Sequence, residues 1–262
     1  MNLKIVLSVS LIAICSVVLC QTETSVNQTD SKGKKQGHWI KKYPDQSLLY
    51  DGYFKDDHPV GEFKRYYEDK TLKSVLQFSS NGKVADAVLY HPNGNIASKG
   101  KYVNQKKEGK WQFFSAITKG YLISEDLYSG DIRNGPSVKF YPDSTIAEKV
   151  KYVNNVKQGE WTRYYPGGSI LLKSNYLNDK IDGKFETWSE DGKPEYSGQY
   201  KNDSRDGLWL LYNPDGTVKY RIEYINGITQ DRQIDIEESK FLDNLEKNKE
   251  KVLDPEKTGV MK

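Results

Sequence analysis

The sequence predicts an all-β protein: tandem β-hairpin repeats, about eight units of ~24 residues, forming one elongated twisted antiparallel sheet with a C-terminal capping helix. Three observations predict it. Rings replace aliphatics in the composition, a glycine recurs at a nearly fixed interval, and short alternating runs lie between turn signals.

Of 262 residues, 36% are hydrophobic against 29% charged, and the rings number 19 Tyr, 8 Phe and 5 Trp. A core built from amphipathic rings suits a thin sheet better than a sphere. The 39 Lys and Arg are interspersed with 36 Asp and Glu. No basic block tracks a phosphate backbone, which argues against nucleic acid as a partner.

Residues 1–20 read as a signal peptide: Lys4 gives a positive start and an apolar run follows from Ile5 to Leu19. Fifteen helical residues rise roughly 22 Å, short of the ~30 Å hydrocarbon core, so export is favoured over a permanent span. Cleavage after Cys20 leaves Gln21 as the new N-terminus and a secreted, periplasmic or cell-envelope protein without cysteine. The alternative is a lipid anchor on Cys20, although Val18 and Leu19 lack the small residue that usually precedes a lipidated cysteine. Residues 21–36, polar and without apolar periodicity, are expected to be a flexible linker.

The array is read over 37–230. Gly37, Gly61, Gly109, Gly135, Gly159, Gly183 and Gly207 recur, with Ala85 in the remaining place; the interval is about 24 residues, with two more between Gly109 and Gly135. Two residues past the glycine stand Trp39, Phe63, Trp111, Trp161, Phe185 and Trp209; the units beginning at Ala85 and Gly135 lack that ring. Five past stand Tyr66, Tyr90, Phe114, Phe140, Tyr164, Trp188 and Tyr212. Seventeen past stand Phe78, Tyr102, Tyr152, Tyr176, Tyr200 and Tyr224, with Tyr53 read as one place early and Tyr128 as displaced by the insertion. Pro92-Asn93-Gly94, Pro166-Gly167-Gly168, Asp191-Gly192 and Pro214-Asp215-Gly216 lie between two short runs, making each unit a hairpin. Val218, Tyr220, Ile222 and Tyr224 alternate with Lys219, Arg221 and Glu223, the period of a strand with one apolar and one charged face. Asn104, Asn154, Asn178 and Asn202 mark the next turn, and the recurring glycine suits a positive φ.

Past Tyr224 the period decays. Ile236, Phe241, Leu242, Leu245 and Val252 have helical spacing, Asp235 with Glu238 suits a capping box, and Asp254-Pro255 ends the run. Residues 231–262 are therefore expected to hold an amphipathic helix and tail, the helix covering the last strand edge.

Tyr196, Gly198, Tyr200, Lys201 and Asn202, followed by Gly207, and Tyr50, Gly52, Phe54 and Lys55, followed by Gly61, resemble the pattern of MORN repeats. The resemblance covers 37 to about 227 and is to the bacterial variant branch, since Trp or Phe stands where the common form has a second glycine. It implies a row of hairpins acting as an adaptor surface. Some relatives are proposed to touch lipid, and some variant-branch members carry an antitoxin label, which an export signal fits poorly.

No catalytic, cofactor or metal site is expected. His38, His58 and His91 hold non-equivalent places in three units, whereas a metal needs convergent ligands. Nucleophile elbows and phosphate-cradling loops are missing, and Glu125-Asp126 and Glu237-Glu238 read as solvated surface. The expected function is a non-catalytic, exported scaffold that binds an unknown protein through the fifth-position column. Glycan or cell-wall binding through exposed rings is the first alternative, an antitoxin-type partner-binding protein the second. Lys32, Lys34, Lys35, Lys41 and Lys42 raise a peripheral membrane role, but losing Lys4 leaves 38 basic against 36 acidic residues (39 less one), too little for strong attraction to anionic lipid.

Overall fold

The computed structural model describes residues 25–229; the expected signal peptide, the lipid anchor on Cys20 and the expected helix over 235–253 lie outside the described residues. The described chain is all-β, a single 19-stranded antiparallel meander in which successive strands pair. It opens with β1 (Gln28–Thr29), β2 (Lys35–Lys42), β3 (Leu48–Lys55), β4 (His58–Tyr66), β5 (Leu72–Phe78), β6 (Val84–Tyr90) and β7 (Ile96–Val103). It continues through β8 (Lys106–Phe114), β9 (Leu122–Ser129), β10 (Ile132–Phe140), β11 (Ile146–Val153), β12 (Val156–Tyr164) and β13 (Ile170–Leu177). It closes with β14 (Lys180–Ile181), β15 (Gly183–Trp188), β16 (Pro194–Lys201), β17 (Ser204–Tyr212), β18 (Val218–Ile225) and β19 (Ile228–Thr229). Both β14 and β15 pair with β13, so they are two parts of one strand broken at Asp182.

The expectation of a flexible linker is corrected over its described part. Gln28 and Thr29 pair with Gln36 and Lys35 as a small hairpin. The Asp30 carboxylate accepts the amides of Lys32 and Lys34 at 2.8 and 2.9 Å, which holds the turn, and accepting them keeps this carboxyl below its ordinary range. Local side-chain capping builds a hairpin where apolar periodicity gives no signal.

Two turn types alternate along the sheet. On one edge the turn is two residues, both at positive φ, as at Asn104 and Gln105 (50° and 65°) or Asn202 and Asp203 (50° and 68°). That pattern matches the twist of a hairpin and favours Asn, Asp and Gly. On the other edge a longer turn carries the proline and glycine signals. After the two-residue turn, the recurring glycine has φ 64° at Gly61 and 70° at Gly109, and the register of the preceding strand pair shifts beside it. It is a glycine bulge, which sharpens the local twist. Ala85 has no such bulge: β5 and β6 pair in continuous register, and the turn between them lengthens across Ser79 to Lys83.

The sheet has one ring face and one charged face. Rings of the second and seventeenth positions pack together on the ring face, where Trp111 is 0% and Trp209 1% exposed. Phe54, rather than Tyr53, is the first unit's member of the seventeenth-position column: it meets Trp39 and Phe63 edge-on, while Tyr53 stacks on His38.

The middle of the ring face is filled by volume matching between adjacent units. Phe63 lies on Gly52, Trp111 on Gly100 and Trp209 on Gly198; a Cβ at those glycines would come within 2.1, 2.3 and 2.3 Å of the ring. Where the second-position residue is Ala87, its cross-strand partner is Leu76. At these four pairs large opposes small whichever strand carries the large one, whereas Val150 stands opposite Trp161 and Asp126 opposite Ser137.

Candidate interaction surface

Most hairpins are fastened to their neighbours at both sheet edges. On the edge with two-residue turns, the second turn residue both donates and accepts. The Asn155 amide donates to Arg133 O at 2.9 Å, and its side-chain oxygen accepts the Arg133 amide at 2.8 Å. Asp57 with Lys35, Asp131 with Lys107, Asp179 with Lys157 and Asp203 with Ile181 repeat this clamp. On the opposite edge, phenols reach one unit forward. Tyr43 donates to Tyr66 O, Tyr67 to Tyr90 O, Tyr121 to Phe140 O, Tyr141 to Tyr164 O and Tyr165 to Trp188 O, over 2.7 to 3.0 Å. His91 takes the same role toward Phe114 O at 3.1 Å, which requires the proton on Nε2.

A cation row covers the rings two residues before five of the eight unit starts, Pro59 and Ile181 holding that place in two others. Lys35 lies 4.6 Å from the Trp39 centroid, Lys107 5.2 Å from Trp111, Arg133 4.0 Å from Tyr152, Lys157 4.8 Å from Tyr176 and Arg205 4.7 Å from Trp209. Burial against these rings pushes the Lys107 ammonium below its ordinary pKa, and Asp131 and Asp126 oppose the shift. Ring faces attract such cations, and their stems shield the aromatic layer from water.

The fifth-position column stands apart from this layer. Tyr66, Tyr90, Phe114, Phe140, Tyr164, Trp188 and Tyr212 are all half-buried, and none stacks on another ring among the described residues. Lys99 lies 5.4 Å from Phe114 and Lys149 5.7 Å from Tyr164, while Tyr212 Oη is 3.0 Å from Ser197 Oγ. Lys99, Lys149 and Ser197 alternate with Gly100, Val150 and Gly198 along their strands, so these members of the column belong to the charged face. That face also carries the pairs Glu62 with Lys64 and Glu125 with Lys110. Successive members are two strands apart, about 10 Å. What the array uses at six of these positions, Tyr66 through Trp188, is the backbone carbonyl.

The three histidines do not converge. His38 pairs with Asp51 at 2.7 Å, His58 meets Asp56 O, and His91 serves the phenol ladder. Among the described residues no group of three or more metal-ligating side chains gathers. The edge phenols and the cation row escaped the sequence reading, although the doublets Tyr66-Tyr67, Phe140-Tyr141 and Tyr164-Tyr165 signalled a further column one place beyond the fifth.

Fold and surface define a non-globular hairpin-repeat scaffold whose units are fastened edge to edge. The MORN repeat variant model matches residues 59–80, 83–104, 157–178, 181–202 and 205–226, each spanning one hairpin, and the chain is a MORN-repeat-like protein. No curated protein matches it. Among solved structures, a chain in the crystal structure of TcdB2-TccC3-Cdc42 is similar at 12% identity and a TM-score of 0.21, over 71% of this chain. The present chain spans 13% of that chain's length, and a likeness of this degree carries no argument.

Proposed function

We propose that the protein is an exported, non-catalytic scaffold that holds a protein partner at the cell envelope through the fifth-position column of its charged face. The observation that carries the reading is a row of half-buried rings, about 10 Å apart, that the ring layer does not use. Rigid amphipathic rings among mixed charges are the anchors protein interfaces favour. Export rests on the apolar run from Ile5 to Leu19. Ile225 and Ile228, 64% and 70% exposed at the last hairpin, support a cap over that edge by the helix expected beyond it.

The test replaces Tyr164, Trp188 and Tyr212 by alanine. Tyr164 and Trp188 serve the phenol ladder through their carbonyls, so the substitutions are expected to preserve the β-type circular dichroism while abolishing capture of the partner from native envelope. Loss of the β signal would mark the column as core and sink the reading. Retention on purified cell-wall polysaccharide with no protein captured would transfer the surface to glycan. An intact mass beginning at Gln21, or an acylated Cys20, tests export and decides between a free and a tethered scaffold.

A further inference from the structure

Ring-to-ring contact on the ring face runs unbroken from Trp39 through Phe54 and Phe63 to Phe78 and resumes at Tyr102 with Trp111. Between them lies the one unit that begins with Ala85 instead of glycine and carries Ala87 instead of a ring. Successive second-position rings stand two strands, about 10 Å, apart; here Phe63 on β4 and Trp111 on β8 are separated by four strands, about 19 Å. A groove of about 1180 Å³ occupies the gap. Leu76 and Ala85 line its floor, with Phe63, Phe78 and Tyr102 beside them. It runs along the strands from Asp57 and Gln105 at one edge to His91 and Pro92 at the other. The seven residues of β5 make that path about 24 Å long.

The charge of the groove is one-sided. Lys83 occupies the cation-row place of this unit, but with Ala87 in place of a ring it lies over no ring among the described residues. At Ser137, the other unit without a ring, Arg133 instead covers Tyr152. Arg65 and Lys73 also line the groove, and none of the three cations has an ion-pair partner among the described residues. The acid in the lining is Asp57, and its carboxylate is engaged by the Lys35 amide at 2.8 Å.

We propose that this groove docks an amphipathic helix of a partner protein, about 16 residues long, with an apolar stripe on Leu76 and the flanking rings and acidic residues toward Lys83, Arg65 and Lys73. The occupant follows from dimensions and charge. A helix of that length covers about 24 Å; Phe78 on β5 and Tyr102 on β7 stand about 10 Å apart, so the helix rests on these rings and lowers only its apolar stripe between them. The volume exceeds the ~300–1,000 Å³ of clefts that take small molecules. An apolar floor beside cations without ion-pair partners among the described residues, Arg65 and Lys73 resting on Phe63 and Tyr67 and Lys83 on no ring, is the complement of an acidic amphipathic helix. The site shares with the scaffold reading the premise that the chain binds protein, but it lies on the ring face and, of the fifth-position column, only Tyr90 reaches its lining.

The experiment measures fluorescence anisotropy of a labelled synthetic 16-residue helix, leucine on one face and glutamate on the other, against the full chain. Its lysine counterpart and vesicles containing phosphatidylglycerol run in parallel. The double variant Leu76→Gly/Ala87→Trp recreates the Gly100–Trp111 pair and refills the gap; Lys83→Glu, at an exposed position, tests the charge without touching packing. The glutamate helix is expected to bind, and each variant to weaken it about tenfold. Equal binding by either folded variant, equal binding of the lysine helix, or retention on vesicles alone would overturn the proposal. The alanine variant of Tyr164, Trp188 and Tyr212 is expected to bind the helix as the wild type does, so this site and the charged-face site fail separately.

Discussion

Volume matching across the ring face makes a quantitative forecast at Gly100 and Trp111. Trp111 is wholly buried, and its indole Nε1 donates to Lys101 O at 3.1 Å. The substitution Trp111→Ala removes that packing and is expected to cost about 3–5 kcal/mol. Gly100→Leu drives a side chain into the ring, since even a Cβ would lie 2.3 Å from Cδ2 and 2.4 Å from Cε2, and the enclosed ring has little room to yield. The expected cost is about 1–3 kcal/mol or more. The double variant Gly100→Leu/Trp111→Ala rebuilds the Leu76 and Ala87 pair of the unit before. It is expected to be more stable than the sum of the singles by about 2–3 kcal/mol, at the upper end of coupling between residues in contact. Urea unfolding followed by far-ultraviolet circular dichroism measures the three midpoints. Strict additivity would refute the argument, because it would mean that each side chain sits in its own environment and the cross-strand sum of volumes has no meaning.

Two further outcomes are expected. Asn155→Gly keeps the positive φ of 69° but loses the oxygen that accepts the Arg133 amide, for about 1 kcal/mol; Asn155→Ala adds left-handed strain of about 1–2 kcal/mol, and urea midpoints that do not separate the two would show the clamp to be slack. Burial, reinforced by nearby acids, pushes Tyr165 and Tyr176 up to about 12 from an ordinary 10. Because the folded value is the higher one, their contribution is complete below pH 10 and is lost as pH climbs toward 12. Tyrosinate absorbance should therefore rise for these residues only as the β signal falls; titration near pH 10 with the sheet intact would contradict it.

The repeat, its hairpins and its two faces were legible because they rest on local signals: a glycine at fixed phase, Asn at the tight turn, and alternation along one strand. The row through Gly52, Leu76, Gly100, Val150 and Gly198 was not, since these residues share no chemical type. What the glycine and Leu76 pairs share is a trade of size between two residues on adjoining strands, a property no single column displays. The same limit hid the groove. Ala85 and Ala87 read as gaps in two columns, while their consequence is a wide space between rings that lie far apart in sequence. The phenol ladder was overlooked for a different reason, because its members Tyr43, Tyr67, His91 and Tyr141 donate to backbone, whose acceptors carry no sequence signature.

The edge clamps have a bearing on how such an array changes over generations. Each joint asks of its neighbour mainly main-chain atoms and one or two side chains, as Asn155 asks of Arg133 and Tyr141 of Tyr164. A duplicated stretch of one unit's length therefore arrives already able to join what precedes and follows it. The two additional residues between Gly109 and Gly135 are absorbed in the turn after Ser115, and Tyr121 still reaches Phe140 O at 2.7 Å. Lineages can lengthen, shorten or locally loosen the array while its joints persist, and a unit released from the ring pattern, like the one at Ala85, is free to acquire a task of its own.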